Sequence, residues 1–198
     1  MGNNKSTVTG RYILLVGIGS FFLAIVFTFF SETITSRLDS ILLSTVFLSI
    51  IIFINVLADL IGTAVTAASH VPFNAKSAKK IKGARQGLLL IRNADKVANI
   101  CNDVIGDITT TVGGALGISI VIQIMKMNTQ LSQFWLNILV TALIASVVVS
   151  GKATGKKIAL SRPDDVIFMA GKIVATLEDI ASIKPLKKGN VSRKRKGV

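Results

Sequence analysis

The chain has 198 residues, of which 51% are hydrophobic and 17% are charged, with a formal net charge of +13 and a mean hydropathy of +0.63. Soluble domains carry about 25% charged residues. The low charge and the long uncharged runs therefore indicate a membrane protein and exclude disorder over most of the chain. The single cysteine, Cys101, excludes a secreted disulfide scaffold and is expected to be a small core residue.

Four apolar segments are long enough to cross a bilayer, whose hydrocarbon core takes about 20 helical residues. The first ends in Phe27-Thr28-Phe29-Phe30 and lacks the small-residue cleavage site of a signal peptide, so a retained helix is predicted. The sequence thus predicts an all-α, polytopic membrane protein with residues 1–185 as its membrane domain. The predicted spans are 12–30, 41–69, 104–125 and 134–150.

The segments between these spans alternate in charge. Residues 1–11 are basic, residues 70–102 hold seven basic residues against one acid, and residues 151–198 hold twelve against four. Residues 31–40 and 126–133 are close to neutral. Because positively charged segments stay on the cytoplasmic side, both termini are predicted to be cytoplasmic. The expected location is the plasma membrane of a bacterium.

Two segments outside the spans are predicted to be amphipathic helices. Residues 73–98 set apolar side chains against lysines, which is typical of a basic helix at a membrane surface. Residues 163–182 begin with Pro163 and two aspartates, a common helix start. This second helix is expected to lie on the membrane or to pack beneath the spans. Its apolar face comprises Ile167, Ala170, Ile173, Val174, Leu177 and Ile180.

Residues 186–198 form a polybasic tail that is predicted to be disordered. Such a tail suits attraction to anionic lipid headgroups, nucleic-acid binding or plain solvation. Tethering beneath a membrane favours lipid, and no nucleic-acid partner is expected. His70 is the single histidine, so an interfacial residue is expected there and not a metal ligand.

Three motifs carry a family resemblance. The end of the second span reads DLIGTAVTAAS over residues 59–69, residues 100–106 read ICNDVIG, and residues 151–159 read GKATGKKIA shortly before an Arg-Pro pair. In order and spacing they resemble the motifs SGAETALTSLS, IGNTLVN and GExxPKxxA followed by NP. Those motifs belong to the transmembrane domain of the CorB/CorC and cyclin-M magnesium transporters. The resemblance covers residues 41–185.

The chain departs from the family pattern at the positions of its glutamates. Gly62 stands where the first motif has glutamate, and Lys152 stands where the third has it. Gly155 replaces the proline of the third motif, and Gly106 replaces the second asparagine of the middle one. The span at 12–30 is additional, and the regulatory CBS-pair domains of the family are not expected. The resemblance therefore implies a divergent member.

The resemblance implies Mg²⁺ as the bound ion, held between spans on hydroxyl, amide and carboxylate oxygens, which suit a hard cation. Asp59, Thr63 and Thr66 share one helix face. Asn102 stands at the family's asparagine position, and Asp103 follows it. An ionised residue within a span usually faces the bundle interior, which makes Asp59 the first candidate among these five ligands. The alternative is a carboxylate solvated near the cytoplasmic interface.

Family-like packing would bring Lys152 near Asp59 and Asn102. There its ammonium would favour an ionised carboxylate, would repel a divalent ion, and would serve as a built-in counter-ion. The alternative is that Lys152 extends to lipid phosphates at the interface.

The resemblance thus implies a divalent-cation (magnesium-type) membrane transport protein, or a degenerate relative of one, that forms a homodimer. The alternative is a non-transporting membrane scaffold or accessory subunit with basic surfaces for lipid or a partner. Asp59 and Asn102 favour transport, whereas Lys152 and the absent glutamates favour the scaffold. The sequence contains no Cys-x-x-Cys pair, no P-loop and no catalytic triad pattern, so an enzyme is not predicted.

Overall fold

The computed structural model describes residues 10–37, 40–127 and 132–183, and every regular element within them is a helix. The predicted all-α fold is confirmed. The predicted tail at 186–198 lies outside the described residues. The elements are α1 (Gly10–Arg37), α2 (Ile41–Ala67), α3 (His70–Ala78), α4 (Ala84–Arg92), α5 (Ala94–Ala98), a π-helix (Asn99–Ile105), α6 (Gly106–Met127), α7 (Gln133–Ser161) and α8 (Pro163–Ile183).

In the described part of the chain, four helical segments are long and apolar enough to cross a membrane, which confirms a polytopic membrane protein. The third, Ala94–Met127, runs through α5, the π-helix and α6, so it begins ten residues before the predicted start at 104. The fourth, α7, continues past the predicted end at 150 because no proline interrupts it. Its 29 residues rise about 44 Å. The helix is therefore longer than the hydrocarbon core of about 30 Å.

The central helix of the bundle is α2, which packs against α6, α7 and the π-helix. Leu48 on its buried face meets an apolar row on α6 that includes Leu116. On the other side, Val56 lies against Gly151 and Gly155 of α7. These glycines let the two helix backbones approach closely, as small residues do in membrane bundles.

The buried face of α2 carries polar groups at two levels, with an apolar layer between them. Near its N-terminal end, Gln123 Nε2 of α6 donates a hydrogen bond to Ser44 Oγ at 2.9 Å. Towards its C-terminal end, Asn55 and Asp59 are buried. The apolar contact of Leu48 and Ile51 with α6 lies between these two polar levels.

Both α1 and α7 expose most of their apolar surface. None of the most apolar stretch of either helix is buried, and α1 packs only against α6 and the π-helix among its larger contacts. Phe21 and Phe22, for example, are 63% and 61% exposed. Exposed apolar area on this scale is unusual for a surface in water and is typical of a surface in contact with lipid.

The helices α3, α4 and α8 form a second packed body, the α3–α4–α8 unit, where α2 and α7 end. Its core joins Phe73 and Ile167 to Val65 of α2 and Ala159 of α7. Gly171 of α8 lies so close to the backbone of α4 that a side chain there would collide with it.

The structure divides the single helix predicted over 73–98. Lys80 (φ 54°) and Gly83 (φ 87°) adopt the left-handed conformation, which ends a helix and which glycine accepts readily. A side chain at Gly83 would also lie 2.7 Å from the backbone nitrogen of Lys172 in α8. The break therefore allows α4 to pack closely against α8.

The last helix, α8, begins at Pro163 with Asp164 and Asp165 in its first turn. The apolar face predicted for it is split. Ile167 and Ala170 are buried against the rest of the unit. The exposed apolar residues are Met169, Ile173, Leu177 and Ile180.

Candidate functional site

Two polar side chains of α2, Asn55 and Asp59, are buried within the bundle. They are four residues apart, so they share a helix face, and they are only 1% and 5% exposed. Asn55 Nδ2 donates to Thr110 Oγ1 at 2.8 Å and to the Gly106 carbonyl oxygen at 3.4 Å. Asn55 Oδ1 and Asp59 Oδ2 accept no hydrogen bond from any described residue. The burial of Asp59 favours an inward-facing role over a solvated carboxylate.

The π-helix places Asn102 against α2. The Asn102 amide lies directly on Gly62, where even a Cβ atom would collide with it. The glutamate that the resembled family has at this position would therefore displace Asn102. Asn102 Oδ1 is a third buried oxygen without a hydrogen-bond partner among the described residues. Segments of π-helix within α-helices are frequent at functional sites.

We call Asn55 Oδ1, Asp59 Oδ2 and Asn102 Oδ1 the oxygen cluster. Asn55 and Asp59 belong to α2, and Asn102 lies against Gly62 of the same helix. Because Asn55, Asp59 and Gly62 share one face of α2, the three oxygens are distributed along two helical turns. An unpaired buried acceptor costs roughly 1–3 kcal/mol, and more where the group is charged. Three such oxygens along two turns of α2 therefore call for an explanation beyond packing.

Two lysines of α7 face this part of α2. Lys156 Nζ lies 3.8 Å from Asp59 Oδ1, an ion pair that is too long for a hydrogen bond. The Lys156 side chain is 54% exposed, whereas that of Asp59 is 7% exposed. One turn earlier, Lys152 Nζ lies beside Gly106: a Cβ placed there would be 3.8 Å from it and 3.9 Å from Asn55 Oδ1. One ammonium group therefore borders the buried carboxylate, and a second lies beside Gly106.

The five predicted metal ligands do not form one group. Asp59 faces α7, whereas Thr66, Asn102 and Asp103 line an open cavity of about 460 Å³ between α1 and the π-helix. Thr63 does not line this cavity. Its carbonyl oxygen accepts a hydrogen bond from Thr66 Oγ1, with 2.8 Å between the two oxygens. The other residues lining the cavity are Ile13, Val16, Asp95, Ala98 and Asn99.

Two carboxylates, those of Asp95 and Asp103, line this cavity, and Asp59 supplies the carboxylate of the oxygen cluster. Asp103 Oδ2 accepts a hydrogen bond from Asn99 Nδ2 at 2.6 Å. Within residues 10–37, 40–127 and 132–183, no three His, Cys, Asp or Glu side chains form a group that could hold a metal ion. Amide oxygens would therefore have to supply most of the ligands of a bound cation.

Lys156, and not Lys152, forms the ion pair with Asp59. Lys152 was expected beside Asp59, but the structure gives the ion pair with Asp59 to Lys156. Lys152 instead lies beside Gly106 and the amide of Asn55. Its role as a counter-ion stays a prediction, now shared with Lys156.

Sequence reasoning missed Asn55 and Lys156. Asn55 is the single amide in an uncharged apolar run and precedes Asp59 by one helical turn, so its spacing was a usable signal. Lys156 follows Lys152 by four residues and therefore lies on the same face of α7. Nothing in the sequence shows which of the two lysines reaches Asp59, because that depends on how α7 sits against α2.

The arrangement can bind positive charge but does not favour a bare divalent ion. Carboxylate and amide oxygens are acceptors, and they suit either a hard cation or an ammonium group. With both lysines in place, the local charge of Asp59, Lys152 and Lys156 is positive. A divalent ion therefore has to compete with the lysine ammonium groups for the same oxygens.

The comparisons with known proteins give no match: no family model, no curated protein and no solved structure matches this chain. The resemblance to the CorB/CorC and cyclin-M magnesium transporters therefore stays a prediction.

Proposed function

We propose that this protein is a magnesium-type cation transport protein, or a degenerate relative of one, and that the oxygen cluster is its cation-binding site. The observation that carries the proposal is the set of three buried oxygens, on Asn55, Asp59 and Asn102, that have no hydrogen-bond partner among the described residues. A cation is the ligand that satisfies several buried acceptors at once, since each of them can donate a lone pair to it.

In this proposal Lys152 and Lys156 are tethered counter-ions that neutralise Asp59 while no cation is bound. The exposure of Lys156 supports this role, because its long side chain can leave the carboxylate for solvent or lipid headgroups without crossing a packed core. The charge pattern of the sequence supports cytoplasmic termini, which would place the site near the cytoplasmic end of α2. A bacterial plasma membrane and a homodimer belong to the same proposal.

The test is Mg²⁺ flux into vesicles that contain the purified protein and a trapped magnesium indicator. Wild-type protein should carry Mg²⁺ faster than empty vesicles, and Asp59→Asn should lose most of that flux because the single carboxylate of the cluster is gone. Asp165→Asn is the matched control, since Asp165 is exposed in the first turn of α8. Flux that is equal in wild type and Asp59→Asn would contradict the assignment of the site.

The ion pair between Lys156 and Asp59 favours a second candidate, a non-transporting membrane scaffold. In that case the ammonium permanently fills the position of the cation, and the basic surfaces bind lipid or a partner. The same vesicles separate the two functions. Folded wild-type protein without flux above empty vesicles, together with a Lys156→Gln variant that is equally inactive, supports the scaffold.

A further inference from the structure

The orientation of α8 is fixed by its packing within the α3–α4–α8 unit. Ile167 and Ala170 are buried, and the backbone at Gly171 touches the backbone of α4. Only Arg162 separates α8 from α7. The face of α8 that points away from α4 is therefore held in a defined direction at the end of a membrane-spanning helix.

That outward face carries an apolar stripe. Met169, Ile173, Leu177 and Ile180 recur at intervals of four, four and three residues, which places them on one side of the helix. They are 67%, 56%, 60% and 53% exposed. The stripe rises about 16 Å along the helix axis. No described element covers it, and a continuous apolar stripe on an exposed helix marks an interaction site.

Two lysines meet at the edge of this stripe. Lys172 Nζ lies 4.5 Å from the centre of the Phe168 ring, and Lys76 Nζ of α3 lies 4.3 Å from the same ring. Cation–π attraction holds both ammonium groups there. Neither is within 4.0 Å of a carboxylate in the described part of the chain. The two positive charges are therefore available to an anionic group placed beside the stripe.

Exposed apolar side chains continue along α7 to its last turn, close in sequence to the start of α8. Ile158 and Leu160, in the last turns of α7, are 46% and 62% exposed. A helix that combines an apolar stripe with flanking lysines binds at the boundary of headgroups and acyl chains. The bilayer that α7 crosses is within reach of the stripe, and its anionic headgroups complement Lys76 and Lys172.

We infer that the stripe Met169–Ile173–Leu177–Ile180 inserts into the headgroup region of the leaflet on the α8 side, and that Lys76 and Lys172 bind phosphates of anionic phospholipids. Through this contact the leaflet fixes the height of the α3–α4–α8 unit relative to the spans. The inference does not depend on cation transport.

The experiment places a nitroxide label on the stripe in the full chain reconstituted into nanodiscs. Cys101→Ser removes the native thiol, Ile173→Cys carries the label, and Glu178→Cys is the matched control on the opposite side of α8. Collisions with oxygen, which partitions into lipid, are compared with collisions with a water-soluble nickel complex. In discs with phosphatidylglycerol, the label at 173 should favour oxygen and the label at 178 should favour nickel.

The charge part of the inference is tested in the same discs. Lys76→Gln and Lys172→Gln should each weaken insertion of the label at 173 about fivefold, the factor that one basic residue near an anionic surface contributes. Discs of phosphatidylcholine alone should weaken it in the same direction. Equal access of nickel to labels 173 and 178 would overturn insertion. Label–label broadening at 173 that requires two chains per disc would mean that a second copy covers the stripe.

Discussion

The span bundle and the α3–α4–α8 unit treat polar groups in opposite ways. In the unit, Phe73, Ala84 and Ile167 are fully buried, whereas the ion pair between Lys82 and Asp179, 2.6 Å long, lies on the surface with both side chains more than half exposed. The unit thus resembles a small soluble domain, with an apolar interior and solvated charges.

In the bundle, the apolar side chains of α1 and α7 point outwards, and a carboxylate and two amides point inwards. Asp59 is paired only at 3.8 Å, and the oxygens of Asn55 and Asn102 lack donors among the described residues. Unsatisfied polar groups in a low-dielectric interior are costly. The contrast teaches that, within the described residues, the bundle, unlike the unit, holds unsatisfied polar groups in its interior, and three of them lie where the cation site is proposed.

The largest effect is expected from a substitution that disrupts the core of the α3–α4–α8 unit. Phe73→Ala removes a fully buried ring and should lower the free energy of unfolding by about 3–5 kcal/mol. Phe53→Ala is the matched control in the bundle, because Phe53 is 62% exposed on α2 and its loss should cost less than about 0.5 kcal/mol. Unfolding in detergent, followed by circular dichroism, compares the two. Equal losses would show that the contrast between the regions is wrong.

A second prediction concerns the oxygen cluster. Lys156→Gln removes the ammonium group beside Asp59, so the variant should be less stable than wild type without divalent ions. Mg²⁺ should also stabilise the variant more than it stabilises wild type. At a Mg²⁺ concentration of 100 times the dissociation constant, the free energy of unfolding of the variant should rise by about 2.7 kcal/mol. Lys157→Gln, one residue further along α7 and exposed, is the matched control.

The measurement for this second prediction is the melting temperature in detergent as a function of Mg²⁺ concentration, with Lys152→Glu as a further variant. A carboxylate at 152 should strengthen the dependence on Mg²⁺, because it adds negative charge beside Asn55. If wild type, Lys156→Gln and Lys157→Gln share one dependence on Mg²⁺, neither lysine competes with the ion.

The smallest expected effect concerns the surface pair of the unit. Lys82→Ala breaks the contact with Asp179 and should cost at most about 1 kcal/mol, since exposed ion pairs contribute little. The loss should shrink further at 1 M salt, where charges are screened within about 3 Å. Lys79→Ala is the control, because Lys79 is exposed and directly follows α3. A loss as large as that of Phe73→Ala would mean that the pair is part of the core.

The sequence predicted four long apolar helices because hydropathy is read directly from residue type, but it did not predict where the third begins or where the fourth ends. It could not predict the division of 73–98, since the left-handed Gly83 is favoured by its contact with Lys172, which is 89 residues further along the chain. The same holds for the site. Asp59 was found from its charge within an apolar run, but the pairing with Lys156 depends on the packing of α2 against α7.

The apolar contact between α2 and α6 has a consequence for the turnover rate of the proposed transport. Ser44 and Asn55 are eleven residues apart, about 16 Å along α2, and the side chains between them, Leu48 and Ile51, are packed against α6. An apolar layer therefore separates the two polar levels of α2. The cation transport proposed above would require α2 to rearrange against α6, on the microsecond-to-millisecond scale of such helix motions. The expected number of ions moved per second is then set by one rearrangement per transported ion. It would be far smaller than the number that pass through an open pore.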